Sequence, residues 1–128
     1  MNLLLIDKSA YVRGHIQVAE EDELCLCAVT RLELLYSARS NAEYEQLEAD
    51  LAQFRELRMD AETFAIAAVA QRELAARARH RVPLPDLLIA ACAQQYGADV
   101  VHVDRHYATL AEVLAFRPRR ADTGGDGR

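Results

Sequence analysis

The sequence predicts an α/β domain in which a mainly parallel sheet lies between helices. Residues 2–7, "NLLLID", form a continuous apolar run that ends in a charge, and residues 98–104, "ADVVHVD", form a valine-rich segment that also ends in an aspartate. Such runs are typical of strands that are buried on both faces of a parallel sheet. Helical patterns separate the two runs, and the alternation of strands with helices favours a layered α/β architecture.

The first half of the chain alternates in this way. Ser9 can cap a helix within "AYVRGHIQVAEE", although Gly14 weakens that helix. "ELCLCAV" predicts a second short strand, and Thr30 then starts the helix of "RLELLYSARS". "NAEYEQLEADLAQFREL" predicts a further helix because its apolar residues recur at helical spacing. These residues are Tyr44, Leu47, Leu51 and Phe54.

The second half begins with a brief strand or turn at "LRMD" and a long Ala-rich helix, "AETFAIAAVAQRELAARARH". "RVPLP" breaks the chain, and Pro85 suits the first turn of the next helix, which Gly97 ends. After the strand at 98–104, "RHYATLAEVLAF" predicts a final helix. We therefore expect a domain at 1–117 and a flexible C-terminal tail at 118–128, since the tail contains glycine and charge without an apolar anchor.

Length and composition restrict the class of protein. The 128 residues suit one domain, and the net charge of −5 argues against a general nucleic-acid coat protein, although not against a nuclease. No signal-peptide pattern opens the sequence, and no apolar run is long enough to span a bilayer, so we expect a soluble, cytoplasmic protein. Cys25 and Cys27 are interpreted as buried small residues rather than part of a zinc site.

Four acids are predicted to meet at one edge of the sheet. Asp7 and Asp104 end strands, Asp86 starts a helix after the Pro-rich loop, and Glu33 lies in the first turn of a helix that follows a strand. Ligands of open α/β sheets bind beyond the carboxyl ends of the strands, where these positions fall. Each acid also has a simpler explanation. Asp7 and Asp104 could cap helices, Asp86 could be an acid favoured by the helix dipole, and Glu33 could pair with a nearby arginine.

A cluster of four carboxylates needs a cation among them. Close carboxylates repel one another, and hard oxygen ligands without a thiol or a set of imidazoles suit Mg²⁺ or Mn²⁺. A divalent ion held in this way can orient a phosphodiester, polarise its oxygens and activate water. The residues alone thus favour a metal-dependent phosphohydrolase.

Three segments carry a resemblance to a known family. "LLLIDKSA", "AVTRLELLYSAR" and "PLPDLLIAACAQQYGADVVHVDRHY", in this order, resemble a PIN domain, and more closely the VapC toxins of type II toxin–antitoxin systems in their actinobacterial form. The resemblance runs from residue 2 to about residue 115. It implies an α/β/α sandwich in which Asp7, Glu33, Asp86 and Asp104 are the catalytic acids and hold one or two Mg²⁺ or Mn²⁺ ions.

The resemblance also implies an activity and partners. VapC proteins are endoribonucleases, usually of transfer or ribosomal RNA, and they commonly form homodimers. A VapB antitoxin blocks the active site, and the pair binds operator DNA through the antitoxin. The sequence departs from the family at two places: Lys8 follows the first acid where many members have threonine, and His106 stands where a further acid is common.

Two other functions compete with this one. The first is a catalytically idle PIN-like binding module, which the presence of all four acids disfavours. The second is another Mg²⁺-dependent phosphohydrolase, such as a haloacid-dehalogenase-like phosphatase. That class needs a second aspartate two residues after the first, and Ser9 occupies this position.

Three further patterns have two explanations each. His102, Asp104 and His106 alternate and could form a mixed metal site, but the simpler interpretation is that the strand ends first and the helix turns His106 away. A basic stretch could bind phosphate or be a solvated helix face; it comprises Arg72, Arg77, Arg79, His80 and Arg81. An apolar helical set could form an antitoxin or dimer groove or an ordinary core; it comprises Tyr36, Tyr44, Leu47 and Leu51.

Overall fold

The fold is a five-stranded, all-parallel sheet between two layers of helices. The computed structural model describes residues 2–123. The strands are β1 (Asn2–Ile6), β2 (Asp22–Leu26), β3 (Arg55–Glu56), β4 (Asp99–His102) and β5 (Arg117–Arg120), in the order β3-β2-β1-β4-β5. The helices are α1 (Lys8–Arg13), α2 (Ala28–Tyr36), α3 (Asn41–Leu51), α4 (Ala61–Ala76), α5 (Leu84–Tyr96) and α6 (His106–Leu110). The prediction of an α/β/α sandwich is confirmed.

The two faces of the sheet bury separate apolar clusters. Successive strand residues point to opposite faces, so Leu4 and Ile6 of β1 pack with residues of α1, α2 and α3. Leu5 points the other way and joins a cluster built mainly from α4, α5 and α6. Covering both faces with helices explains why β1 is a nearly continuous apolar run rather than an alternating one.

Helix α1 is shorter than predicted, and the capping explanation of Asp7 is confirmed. The side chain of Asp7, rather than Ser9, accepts the capping hydrogen bond from the Ser9 amide. The helix ends at Arg13, and the Gly14 amide donates to the Ala10 carbonyl at 2.8 Å. A Cβ atom added at Gly14 would lie 2.8 Å from the Cβ of Ala121, so glycine permits close passage of two chain segments here.

The predicted start of the tail at residue 118 is wrong. Residues Arg117–Arg120 form β5, which pairs in parallel with β4, and the Ala121 amide donates to the His102 carbonyl at 2.7 Å. The apolar pattern could not reveal this strand, because an edge strand is held by main-chain hydrogen bonds and needs little apolar surface. The final helix is correspondingly brief and ends at Leu110. The predicted flexibility of residues 124–128 lies outside the described residues.

Helix α3 is also shorter than predicted, because it ends at Leu51 and β3 occupies Arg55–Glu56, which the apolar pattern places in that helix. The end of α5 agrees with its prediction. Gly97 ends α5 in the left-handed conformation (φ 68°), which a glycine adopts without strain. Cys25 and Cys27 are buried free thiols, as expected of small core residues. Among residues 2–123, the structure contains no helix with the length and apolarity needed to cross a membrane.

Candidate active site

Four carboxylates from separate parts of the chain line one cavity at the carboxyl edge of the sheet. Asp7 follows β1, Glu33 lies on α2, Asp86 is in the first turn of α5, and Asp104 comes two residues after β4. The cavity has a volume of about 340 Å³, and Lys8 and Arg13 are also among its lining residues. The predicted convergence of the four acids is therefore what the structure shows.

Asp7 is the most firmly held of the four acids. Only 4% of the residue is exposed, and its Oδ2 accepts hydrogen bonds from the Ser9 amide at 2.8 Å and the Ser9 hydroxyl at 2.6 Å. Its Oδ1 accepts a 2.7 Å hydrogen bond from the Tyr107 hydroxyl. The Ser9 hydroxyl in turn accepts from the Val103 amide, which ties the end of β1 to the end of β4. These bonds orient both oxygens of Asp7.

Asp86 is buried among negative charges. Its Oδ2 lies 2.9 Å from Nδ1 of His106, and its Oδ1 lies 3.5 Å from the Tyr107 hydroxyl. Burial, followed by the charge of Asp7, raises the pKa of Asp86 to about 6, although the hydrogen bond from His106 opposes the rise. A carboxyl group with a pKa in this range can exchange a proton near neutral pH.

His106 belongs to the acid cluster, so the expectation that its helix turns it away is wrong. Its Nδ1 lies 2.9 Å from an oxygen of Asp86 and 2.9 Å from an oxygen of Asp104. The three side chains offer ligand atoms that all lie within 4.8 Å of one another. The strand does end before His106, as expected, but α6 begins at this residue and directs its ring inward.

His102, by contrast, does not line the cavity. Its Nδ1 accepts a hydrogen bond from the Asp104 amide at 3.2 Å, and its ring packs against that of Tyr107 with 5.0 Å between centroids. Burial lowers the pKa of His102, which favours the neutral imidazole. His102 therefore supports the loop that carries Asp104, and the symmetrical His/Asp/His metal site is not formed.

Glu33 faces the other acids from α2. Burial, followed by the charge of Asp7, raises its pKa, while the charge of Lys8 lowers it. Lys8 and Arg13 lie at the same cavity, but within residues 2–123 no lysine or arginine forms an ion pair with any of the four acids. The negative charge of the four acids is therefore not neutralised by ion pairs with lysine or arginine within the described residues.

This donor set fits a divalent cation. Carboxylate oxygens are hard ligands that suit Mg²⁺ and Mn²⁺, and a cation would relieve the repulsion that raises the pKa of Asp86. Asp104 and Asp86 present oxygens close enough to share one ion. Asp7 and Glu33 line the same cavity and can complete the coordination or hold water.

The sequence patterns missed the role of Tyr107. This residue is fully buried, and its hydroxyl lies between the carboxylates of Asp7 and Asp86. Its position three residues after Asp104 could have predicted this role, because residues three apart lie on the same face of a helix. A tyrosine hydroxyl in an otherwise apolar cluster needs a polar partner, and the acids provide one.

Part of the basic stretch is a solvated helix face and part of the apolar set lies in the core, while phosphate binding and an antitoxin or dimer groove stay predictions. Arg77 and Arg79 bind Glu112 at 3.4 and 3.0 Å, as a solvated surface does, while Arg79 and Arg81 share a second cavity with His106. In the apolar set, Leu51 is buried in the core, whereas Tyr36 is 89% exposed. Leu32, one helical turn before Tyr36, is also exposed and gives α2 an apolar outer face.

Comparisons with known proteins agree on one family. Residues 4–113 match the family model of the PIN domain. Ribonuclease VapC17 of Mycobacterium tuberculosis is 39% identical over 120 residues, which cover 88% of this chain and 90% of that protein. Ribonuclease VapC18 of the same organism is 41% identical over 104 residues, which cover 79% and 76% of the two chains.

Solved structures share the fold. A member of the VapBC family of toxin–antitoxin systems, VapBC-5 of Mycobacterium tuberculosis, superimposes with a TM-score of 0.68 at 24% identity, covering 95% of this chain and 99% of that one. VapBC2 of Rickettsia felis, bound to a DNA fragment from its promoter, gives a TM-score of 0.76 at 15% identity, covering 94% and 99%. At these identities the likeness establishes the architecture alone.

Proposed function

The chain belongs to the PIN-domain family, and from this membership we propose that it is a metal-dependent endoribonuclease that acts as the toxin of a VapBC pair. The observation that carries the proposal is the meeting of Asp7, Glu33, Asp86 and Asp104 in one cavity. Relatives at 39% and 41% identity are named ribonucleases, which supports RNA as the substrate.

The four acids would hold Mg²⁺ or Mn²⁺. When bound, such an ion polarises a phosphoryl oxygen and lowers the pKa of a coordinated water. Asp7 is already oriented by Ser9 and Tyr107, so little reorganisation is needed on its side of the cavity. Asp104 is held similarly, because its Oδ1 accepts from the His106 amide at 3.1 Å.

The other residues of the cavity have distinct tasks in hydrolysis. One carboxylate of the cavity would accept the proton of the attacking water, and a bound cation would favour the charged form of Asp86, whose pKa is raised to about 6 without metal. Lys8 and Arg13 provide positive charge for the phosphates that flank the cleaved bond. In-line attack at phosphorus would leave a 3′-hydroxyl and a 5′-phosphate, and the RNA would be a transfer or ribosomal RNA.

The partners follow from the same family membership. A VapB-type antitoxin would cover the cavity, and the exposed Val12, Leu32 and Tyr36 on α1 and α2 offer apolar surface on the two helices that also bear Arg13 and Glu33. Two toxin chains would form a homodimer. Operator DNA would be bound only through the antitoxin, and the pair would work in the cytoplasm.

RNA cleavage by the purified protein tests the proposal. We expect cleavage with Mg²⁺ or Mn²⁺, none in EDTA, and a loss of at least about 100-fold in Asp7→Asn, since one preorganised electrostatic contact is worth this much. Glu48→Gln, an exposed acid on α3 away from the cavity, is the matched control and should remain active. Cleavage that persists in EDTA or in Asp7→Asn would exclude this mechanism, and metal binding without any cleavage would indicate an idle binding module.

A further inference from the structure

We propose that the imidazole of His106 is itself a ligand of the metal ion, and that this nitrogen gives the site a preference for Mn²⁺ over Mg²⁺. The inference rests on the metal site of the proposed function and goes beyond it. The predicted ligand set consists only of carboxylates, whereas the structure adds a nitrogen to it. The consequence is a selectivity that a cluster of oxygens alone would not have.

The geometry places one nitrogen between two carboxylates. Nδ1 of His106 lies 2.9 Å from an oxygen of Asp86 and 2.9 Å from an oxygen of Asp104. Because the three ligand atoms lie within 4.8 Å of one another, one ion placed among them can contact all three. The His106 side chain is 38% exposed and lines the cavity, so an ion entering from solvent can reach it.

The position of the ring is set by the backbone. His106 opens α6, and its amide donates to Oδ1 of Asp104 at 3.1 Å. The next residue, Tyr107, is fully buried and bonded to Asp7, which anchors the helix immediately beside the ring. The imidazole therefore lies in the acid cluster as a consequence of the fold, not of a chance surface contact.

A neutral imidazole can serve both states of the site. With its hydrogen on Nδ1, it donates to Oδ2 of Asp86 in the absence of metal, and an oxygen of Asp104 lies at the same distance. With the hydrogen on Nε2, the lone pair of Nδ1 points at the same place and can bind a cation. The exchange is a change of tautomer and requires no movement of the ring.

The choice of metal follows from the ligand atoms. Mg²⁺ strongly favours oxygen ligands and keeps its waters, whereas affinity for sites with nitrogen rises through the transition metals that begin at Mn²⁺. His106→Asp restores an all-oxygen set and should lower the ratio of Mn²⁺ to Mg²⁺ affinity by about tenfold, the scale on which single side chains around a metal change its affinity. If His106 only aligned the two acids, its replacement would weaken binding of both ions equally.

Electron paramagnetic resonance of the Mn²⁺-loaded full chain tests the ligand directly. We expect ¹⁴N modulation of the Mn²⁺ electron spin echo from one imidazole, its loss in His106→Asp, and its retention in His80→Gln, an exposed neighbouring histidine. Calorimetric titration of wild type and His106→Asp with each ion should show the tenfold fall in the affinity ratio.

The outcomes separate this inference from the proposed function. Mn²⁺ binding without ¹⁴N modulation in the wild type would overturn the role of His106 and leave the carboxylate site standing. An unchanged Mn²⁺ to Mg²⁺ affinity ratio in His106→Asp would overturn the selectivity. Failure of the wild type to bind either ion would overturn the metal site, and the proposed function with it. The wild-type spectrum is informative even if the variant does not fold.

Discussion

The carboxylates at the two ends of β4 differ in their partners. At the amino end, Asp99 is held by Arg117 at 2.9 Å and Arg119 at 2.7 Å. Beyond the carboxyl end, Asp104 and Asp86 each have an oxygen 2.9 Å from Nδ1 of His106, and neither forms an ion pair with an arginine of the described residues. The side chains of Asp99 and Asp86 are exposed to similar extents, 14% and 12%, so burial does not distinguish them.

The difference separates a carboxylate that stabilises the fold, Asp99, from carboxylates that are suited to bind a ligand, those of the cavity. Removing a charge from water costs free energy that an arginine can repay. Within residues 2–123, two arginines form ion pairs with Asp99 and none forms one with the acids of the cavity, where the pKa of Asp86 is raised instead. The acid cluster is electrostatically unfavourable without a cation, although the same fold pairs Asp99 with arginines. This contrast indicates that the cavity is a binding site.

The largest expected contrast between the two ends is in RNA cleavage. Asp86→Asn should reduce the cleavage rate at least about 100-fold, because it removes a charge from the reacting centre. Asp99→Asn is the matched substitution at the opposite end of β4, and this variant should cleave RNA at nearly the wild-type rate. Single-turnover cleavage of labelled RNA measures both, and equal losses would remove the distinction between the two ends.

Divalent ions should stabilise only proteins with an intact cavity. At a concentration 100 times the dissociation constant, a bound ion adds about 2.7 kcal/mol to the free energy of unfolding. We expect Mn²⁺ to raise the melting temperature of the wild type and of Asp99→Asn but not of Asp86→Asn. Differential scanning fluorimetry with EDTA as the reference gives the comparison. An equal rise in all three proteins would place the ion elsewhere.

Stability in the absence of metal should depend on pH through Asp86. Its pKa is raised to about 6 in the folded state, so between its ordinary value and pH 6 the folded protein binds more protons than the unfolded one. The stability of the wild type relative to Asp86→Asn should therefore fall as pH rises through this window. At pH 8 the variant should be more stable by about 1–3 kcal/mol.

Urea unfolding at a series of pH values measures this difference. Asp99→Asn should behave oppositely to Asp86→Asn at pH 8 and lose stability, by about 1–2 kcal/mol, because it leaves the partly buried Arg119 without its partner. A wild type that gained stability relative to Asp86→Asn as pH rose would contradict the electrostatic account of the cavity.

The smallest effect should come from Tyr107→Phe. The substitution keeps the ring that packs in the core and removes the hydrogen bond to Asp7, so it should cost about 0.5–1.5 kcal/mol of stability. Without this hydrogen bond Asp7 is less well oriented, so the affinity for metal should fall several-fold, which corresponds to a free energy of similar size. Calorimetric titration with Mn²⁺ detects the change, and Tyr96→Phe, whose hydroxyl bonds the Arg58 carbonyl instead, is the control. Unchanged affinity would show that Ser9 alone orients Asp7.

The apolar run at 2–7 and the valine-rich segment at 98–104 were sufficient to predict two central parallel strands. A strand covered on both faces must be apolar throughout, so burial leaves a direct trace in the sequence. The same reasoning placed Asp7 and Asp104 at one edge, since parallel strands end on the same side. The convergence of four acids was thus accessible before any coordinates, although their catalytic role stays a prediction.

Strand β5 and the ring of His106 were not accessible in this way. The "RPRR" segment is stabilised by main-chain pairing with β4 and by the bonds of Arg117 and Arg119 to Asp99, neither of which has an apolar signature. The direction of His106 depends on where α6 begins, and a shift of one residue turns a helical side chain by about 100°. Local patterns record burial, whereas contacts between distant polar groups arise only when the chain has folded.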